Sequence, residues 1–281
     1  MKKYFLMVWT GIVLLLMLFS VPAHAFIEHG AESIAARVVD AKTGQPLEGV
    51  IVVAHWQLER KVWAGIGHSG RDSRGPLQLK IMETVTDANG RFFFPAWGPL
   101  PTPPNSYLEG FDPRIIMFKQ GYEYDVSANL GFPPPIDPNV SSTRTSWING
   151  TTIKLKKFEG DLKEYGELLS GLAVDLSFAT NPRNSNSACD WKRIPQMLGT
   201  LINIQKTFRA KLIYSGLPNL DSIPRQDECG SAREFLKEYL DEGNNPPPDN
   251  PPKVVPNKSR HAPQPQMMYG PPEGFVPPKS K

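Results

Sequence analysis

Arg37-Val38-Val39-Asp40-Ala41-Lys42-Thr43-Gly44-Gln45-Pro46-Leu47-Glu48-Gly49-Val50 and, further on, Glu83-Thr84-Val85-Thr86-Asp87-Ala88-Asn89-Gly90-Arg91-Phe92 decide the fold. Each stretch reads as a strand, a polar turn with glycine, and a second strand. Gly44 and Gly90 fall where such turns require a positive φ, which a side chain disfavours. Pro46 has no N–H to give to a ladder, so it belongs at the start or edge of the next strand. Residues 49–56 form an almost unbroken β-branched run, suited to a strand in a sandwich core. Residues 34–39 read as the strand before the first turn, and 82–86 pairs with 91–94 across a hairpin ending in Gly90.

Working outward, residues 57–80 are polar and basic and read as an insertion between strands. Residues 95–113, rich in proline and aromatic side chains, form a second long connection. A strand comes next at 114–119, ended by Gln120-Gly121-Tyr122. Residues 124–146 read as loop, and 147–158 as an alternating closing strand. The β part is thus expected over 34–158. At Gly160 the period changes to helical, with Leu162, Tyr165, Leu168, Leu169, Leu172 and Leu176 in register after an Asp161-x-x-Glu164 capping box. Trp191, Ile194, Leu198, Leu201, Gln205, Phe208 and Leu212 mark a second helix, with one polar break at Gln205. Asp190 could cap it, but Pro195 fits only a first turn. Ser231-x-x-Glu234 opens a third, so a helical segment is expected over 160–242. Residues 243–281 carry proline clusters and little apolar surface, the composition of a disordered or polyproline-like tail. Fully extended as polyproline II, that tail would reach on the order of 100 Å.

The stretch from Val38 to Phe94, with Gln120-Gly121-Tyr122, resembles the carboxypeptidase regulatory-like family. The matching residues are Asp40, Thr43, Gly44, Pro46, Leu47 and Gly49, then Thr86, Asp87, Gly90 and Phe92, then Gly121 and Tyr122. The resemblance implies a transthyretin-like β-sandwich, so the expected class is mainly β with an α-helical C-terminal part. It covers less than half of the chain after residue 25 and departs from the family in its long insertions at 57–80 and 97–113. The whole layout is also similar to proteobacterial envelope proteins that carry this domain. Such sandwiches are scaffolds or binding modules, and a fold alone does not name a ligand.

The composition is globular, with 40% hydrophobic and 21% charged residues, and the formal net charge is only +3. That balance offers no electrostatic case for nucleic acid. Lys2 and Lys3, the apolar run 4–19 and the small residues Ala23 and Ala25 read as a signal peptide cleaved between Ala25 and Phe26. An uncleaved anchor is the alternative, although the run is shorter than the ~20 residues of a spanning helix. No cysteine stands directly behind the run, which excludes a lipid anchor there. A soluble periplasmic or secreted protein is expected, touching the membrane only through its signal peptide. In an oxidising compartment Cys189 and Cys229 read first as one disulfide tying two helix starts. A pair of thiols activated by helix N-termini is the alternative.

Candidate chemistry is sparse. His29-Gly30-Ala31-Glu32 matches the H-x-x-E start of a zinc carboxypeptidase site, but the large domain that supplies the other ligands has no room here. Gly67-His68-Ser69-Gly70-Arg71 falls short of a nucleophile elbow and lies in a basic insertion. The hydroxyisourate hydrolase branch of the transthyretin fold ends in Y-R-G-S, which is missing from the sequence. His55 on a core-like strand reads as a hydrogen-bonded structural histidine. Trp56, Trp63, Trp97, Tyr107 and Phe111 lie at strand ends or in insertions, where exposed rings hold sugars or apolar peptide segments. The competing reading is that these rings cover the sandwich. Lys192, Arg193, Lys206, Arg209 and Lys211 read as a solvated helix face. The sequence therefore points to a non-enzymatic binding or structural module with an envelope protein or glycan as partner and no cofactor or metal. The alternatives are an accessory to an envelope peptidase or carbohydrate-active enzyme, and a metal-dependent hydrolase around His55 or His68.

Overall fold

The computed structural model describes residues 27–60, 77–103, 106–108, 113–129, 141–181, 189–224 and 226–240. Its strands are β1 (Glu28–Ala31), β2 (Ile34–Asp40), β3 (Ile51–Arg60), β4 (Leu77–Val85), β5 (Arg91–Phe94), β6 (Trp97–Pro101), β7 (Ser106–Leu108), β8 (Arg114–Phe118), β9 (Asp125–Ser127), β10 (Ser142–Arg144) and β11 (Thr152–Leu155). The helices are α1 (Leu162–Asp175), α2 (Ser177–Thr180), α3 (Pro195–Ala210), α4 (Gln226–Cys229) and α5 (Ala232–Phe235). The class is the expected one, mainly β with a helical C-terminal part. Three sheets form, ordered β10-β1-β6, β11-β2-β5 and β4-β3-β8-β9, with β7 also pairing β3.

The two quoted turns lock onto each other. The Asp40 carboxylate accepts from the N–H groups of Lys42 and Thr43 and from the Thr43 hydroxyl, at 2.8–3.0 Å. Tyr122 donates its hydroxyl to the other Asp40 oxygen. These donors, led by the Thr43 N–H, hold the Asp40 carboxyl below the usual carboxylate range. Thr86 receives the Val50 N–H at 2.8 Å and donates to the Leu47 carbonyl at 2.6 Å, joining the first turn to the second. Gly90 has φ +71°, and a Cβ there would lie 2.3 Å from the Val38 carbonyl oxygen. Thr86 and Gly90 are thus the motif positions at which the two turns touch.

β3 is buried on both faces, which explains its continuous apolar run. Val52, Ala54, Trp56 and Leu58 face the sandwich core with Val38, Phe92, Phe94 and Met117. Ile51 and Val53 face the other way, into a second core with Ile116, Phe118 and the helices. A strand covered on both sides has no polar face to show.

The connections hold more structure than the sequence pattern predicts. Residues 95–113 contribute β6 and β7, residues 124–146 contribute β9 and β10, and β1 precedes the expected start. The closing strand is only Thr152–Leu155; residues 147–150 form a turn that buries Ile148. β3 and β4 extend into the supposed insertion, pairing as far as Leu58 and Leu77. β1, β6, β7, β9 and β10 are only three to five residues long, too short to show a period of two.

In the helical layer Asp161 and Glu164 form the reciprocal capping box of α1. The second helix begins at Pro195, in the first turn as expected, and residues 190–193 form a separate 3-10 turn. The third is shortened to α5 and a 3-10 turn, with Ser231 accepting from the Glu234 N–H. Cys189 and Cys229 form a disulfide. Cys189 does precede a helical turn, but Cys229 ends α4 instead of preceding a helix directly. Among the described residues no helix is long and apolar enough to cross a membrane.

Candidate functional site

The most unusual polar arrangement lies on the inner face of the β10-β1-β6 sheet. The register pairs His29 with Ser142 and Ala31 with Arg144 on one side, and Ala31 with Trp97 on the other. Directly paired residues project to the same side of a sheet, so His29, Ser142, Arg144 and Trp97 share a face with Ala31. Ala31 belongs to the sandwich core and Trp97 packs against it. Across the core, Trp56 of β3 meets Trp97 edge to face, their ring centroids 5.0 Å apart. The Arg144 guanidinium donates to the Leu108 carbonyl at 3.3 Å. Leu108 in turn pairs with Leu58, two residues from Trp56 on the same side of β3. The contacts therefore close a ring through His29, Arg144, Leu108, Leu58, Trp56 and Trp97.

His29, Arg144 and Trp56 are 1%, 4% and 0% exposed, and Trp97 is half-buried at the rim. His29 Nδ1 lies 2.9 Å from the Ser142 hydroxyl oxygen. Its Nε2 has no hydrogen-bond partner, nor has Nε1 of Trp56 or of Trp97. Burial, and after it the Arg144 charge, lowers the His29 pKa below the ordinary value, so the ring is neutral at pH 7. Each buried polar group left unpaired costs about 1–3 kcal/mol. Three buried nitrogens in this arrangement thus lack a partner, as do His55 Nε2, Gln78 Nε2 and Trp191 Nε1 elsewhere among the described residues.

Two glycines let the sheet form this way. A Cβ on Gly30 would lie 2.7 Å from the Trp97 carbonyl oxygen, and one on Gly98 would lie 2.5 Å from the Gly30 Cα. Only bare backbone allows β1 and β6 to approach so closely and set Trp97 beside Ala31.

The sequence-predicted aromatic residues divide. Trp56 and Trp97 come together, but Trp56 is wholly enclosed, which corrects its reading as an exposed binding ring: it sits on the inner face of a doubly covered strand. Tyr107 is half-buried and pairs with Glu59, one residue off the Leu58–Leu108 pair, so it lies on the opposite face from the ring. Trp63, Phe111, Ala25, Phe26 and His68 lie outside the described residues. Sequence reasoning weighed His29 only as half of an H-x-x-E motif. It missed Arg144, whose segment carries no periodic signal.

A second set of polar residues joins the sandwich to the helices. The Glu83 carboxylate on β4 accepts the N–H groups of Gln196 and Met197, both at 2.9 Å, and so caps α3 from outside the helix. The helix itself has Ile194 at the cap position, with no side-chain bond. Burial outweighs these two bonds and pushes the Glu83 carboxyl up to about 7. His55 is fully buried, stacks on Phe178 at 3.9 Å and donates from Nδ1 to Gln78 Oε1 at 2.9 Å. Burial takes its pKa down to about 3. Arg114 pairs with Asp175 at 3.6 Å, and the Tyr165 hydroxyl accepts the Gly121 N–H. His55 is thus a structural residue at an internal interface. Among the described residues no three His, Cys, Asp or Glu side chains gather as a metal-binding group.

No family model matches the chain, and no curated protein does. Similar solved structures include 3-chlorocatechol 1,2-dioxygenase from Rhodococcus opacus 1CP, at 16% identity and TM-score 0.23 over 49% of this chain and 62% of that one. The major pilin SpaD of Corynebacterium diphtheriae shares 12% identity at TM-score 0.23, over 45% of this chain and 30% of that one. A point mutant of the catechol 1,2-dioxygenase of Acinetobacter radioresistens shares 13% at TM-score 0.23, over 50% and 55%. The chain thus spans under two thirds of each of these proteins, and similarity at this level bears on neither fold nor function.

Proposed function

We propose that the protein is a non-enzymatic binding module of the bacterial envelope. In this reading it is exported by residues 1–25, and its β part is a transthyretin-like sandwich of the carboxypeptidase regulatory-like kind. The helical layer, closed by the Cys189–Cys229 disulfide, covers the outer face of the β4-β3-β8-β9 sheet and leaves the β10-β1-β6 sheet to meet a partner. The disulfide supports an oxidising compartment. The observation that carries the binding role is the half-buried Trp97 at the rim of a ring whose indole N–H groups and His29 Nε2 have no partner.

The partner is an envelope protein or glycan that covers Trp97. Tagged chain lacking residues 1–25, used as bait on solubilised envelope and on a glycan array, should retain a ligand that its Trp97→Ala variant loses. If wild type and variant capture the same species, or neither captures any, the binding reading is wrong.

A further inference from the structure

We propose that the outer face of the β11-β2-β5 sheet docks on an anionic lipid surface. The inference is independent of the Trp97 partner, because it concerns another sheet. Along β2 and β5 the buried Ala36, Val38, Phe92 and Phe94 alternate with exposed Ala35, Arg37, Arg91 and Phe93. The register sets Arg37 opposite Arg91, Ala35 opposite Phe93, and Thr152 of β11 opposite Arg37. Exposed Lys154, two residues from Thr152, shares that side. Three cations thus stand on three neighbouring strands, which lie about 4.8 Å apart.

Like charges directly opposite each other weaken a strand pair, and among the described residues none of the three cations is paired with a carboxylate. Arg37 Nε donates to the Asn89 carbonyl at 3.1 Å, which ties its guanidinium to the turn before Arg91. Asp87, in the same turn, spends its Oδ1 on the N–H groups of Asn89 and Arg91. The repulsion is left for an outside anion to relieve, and neighbouring guanidinium groups suit phosphate oxygens. Phe93 is the second observation: it is 55% exposed on the same face, with only the small Ala35 opposite it. Its ring has no polar tip, so beside cations it suits the boundary between lipid headgroups and acyl chains. A bilayer of anionic lipid offers phosphate above apolar tails, and so answers both features at once. An acidic peptide would answer the charges and not the ring.

The test uses the chain without residues 1–25, so that their apolar run does not itself enter the bilayer. It is sedimented at low salt with vesicles of phosphatidylcholine alone, and of phosphatidylcholine with phosphatidylglycerol in equal parts. The chain should sediment with the mixed vesicles, stay in solution with the neutral ones, and be released by salt. Arg37→Gln with Arg91→Gln should weaken the binding about fivefold per charge, about 30-fold together. Phe93→Ser should weaken it about tenfold. Removing a like-charge pair relieves repulsion, so the double variant should keep or raise its urea midpoint, which reports that it is folded. Lys206→Gln with Lys211→Gln removes the same charge from the helical layer and should leave the binding within about threefold. Equal binding to both vesicles, or an equal loss in the two double variants, overturns the proposal. So does release of the chain by inorganic phosphate at the same phosphorus concentration, which would make the face a site for free phosphate. Retention on immobilised polyglutamate without binding to the mixed vesicles overturns it in favour of an acidic peptide.

Discussion

Acidification perturbs the buried His55 and the half-buried Glu83 at the sandwich–helix interface in opposite directions, and the two should be separable. His55 has its pKa lowered from 6.5 to about 3. Above pH 6.5 it is neutral in both folded and unfolded chains. As pH falls the unfolded chain takes up the proton first, so stability is lost between 6.5 and 3. At 1.36 kcal/mol per unit, this loss totals about 5 kcal/mol. Glu83 has its pKa raised from 4.5 to about 7. Here the folded chain takes up the proton first, so stability is gained as pH falls from 7 to 4.5, by about 3 kcal/mol. Between pH 6.5 and 4.5 the two slopes cancel, and only the His55 loss continues below 4.5.

Urea titrations from pH 7.5 to 4.5 measure this balance. His55→Asn places an amide N–H where Nδ1 stands and removes the titration. It loses the stack on Phe178, so its stability at pH 7.5 is lower by about 2 kcal/mol. Relative to the wild type, in which the two slopes oppose each other, that variant should nevertheless gain about 3 kcal/mol on acidification from pH 7.5 to 4.5. Glu83→Gln should do the reverse and lose about 3 kcal/mol over the same interval. The shifted carboxyls of Asp40, Asp125 and Asp175 and the imidazole of His29 are common to both variants and drop out of the comparison. Arg114 and Asp175 remain beside the site in both. Parallel pH profiles for wild type and the two variants would refute the reasoning, because they would mean that neither group titrates on unfolding.

Particular contacts set three further outcomes. Gly90→Ala puts a Cβ 2.3 Å from the Val38 carbonyl at a φ of +71°, and should lower stability by roughly 2–4 kcal/mol in urea titrations. Cys189→Ala with Cys229→Ala opens a loop of sequence separation 40, worth about 4 kcal/mol in the chain-entropy model. Hydrogen exchange should show protection falling in α3 to α5 before β2 and β5. Leu212 comes after α3 at φ +57° and is 94% exposed, so Leu212→Gly relieves a left-handed backbone without loss of packing and should raise stability by about 0.5–1 kcal/mol by thermal melting.

The motif half of the fold is legible because its hydrogen bonds are local or its burial is two-sided. Within its own turn Asp40 reaches to Thr43 and Asp87 to Arg91, so each turn is written within five residues, and the distant Tyr122 hydroxyl only adds to the first. β3 announces itself because both of its faces are covered. The ring around Trp97 is illegible for the opposite reason. Its strands β1, β6 and β10 are three to five residues long, and His29 meets Ser142 across a separation of 113. No local pattern encodes that register. The cap of α3 shows the same physics with one clue left in the sequence. Ile194-Pro195 starts a 16-residue helix with no side chain able to receive its first N–H groups. An uncapped N-terminus over a buried face has to be satisfied from elsewhere. Glu83, an acidic residue in the middle of an otherwise β-forming stretch, is the acceptor that answers it, again across 113 residues. Orphaned donors of this kind are the part of a tertiary site that a sequence can reveal. At α3 the fold supplies the acceptor itself; for the indole N–H groups of Trp56 and Trp97, as for that of Trp191 in the helical core, it does not.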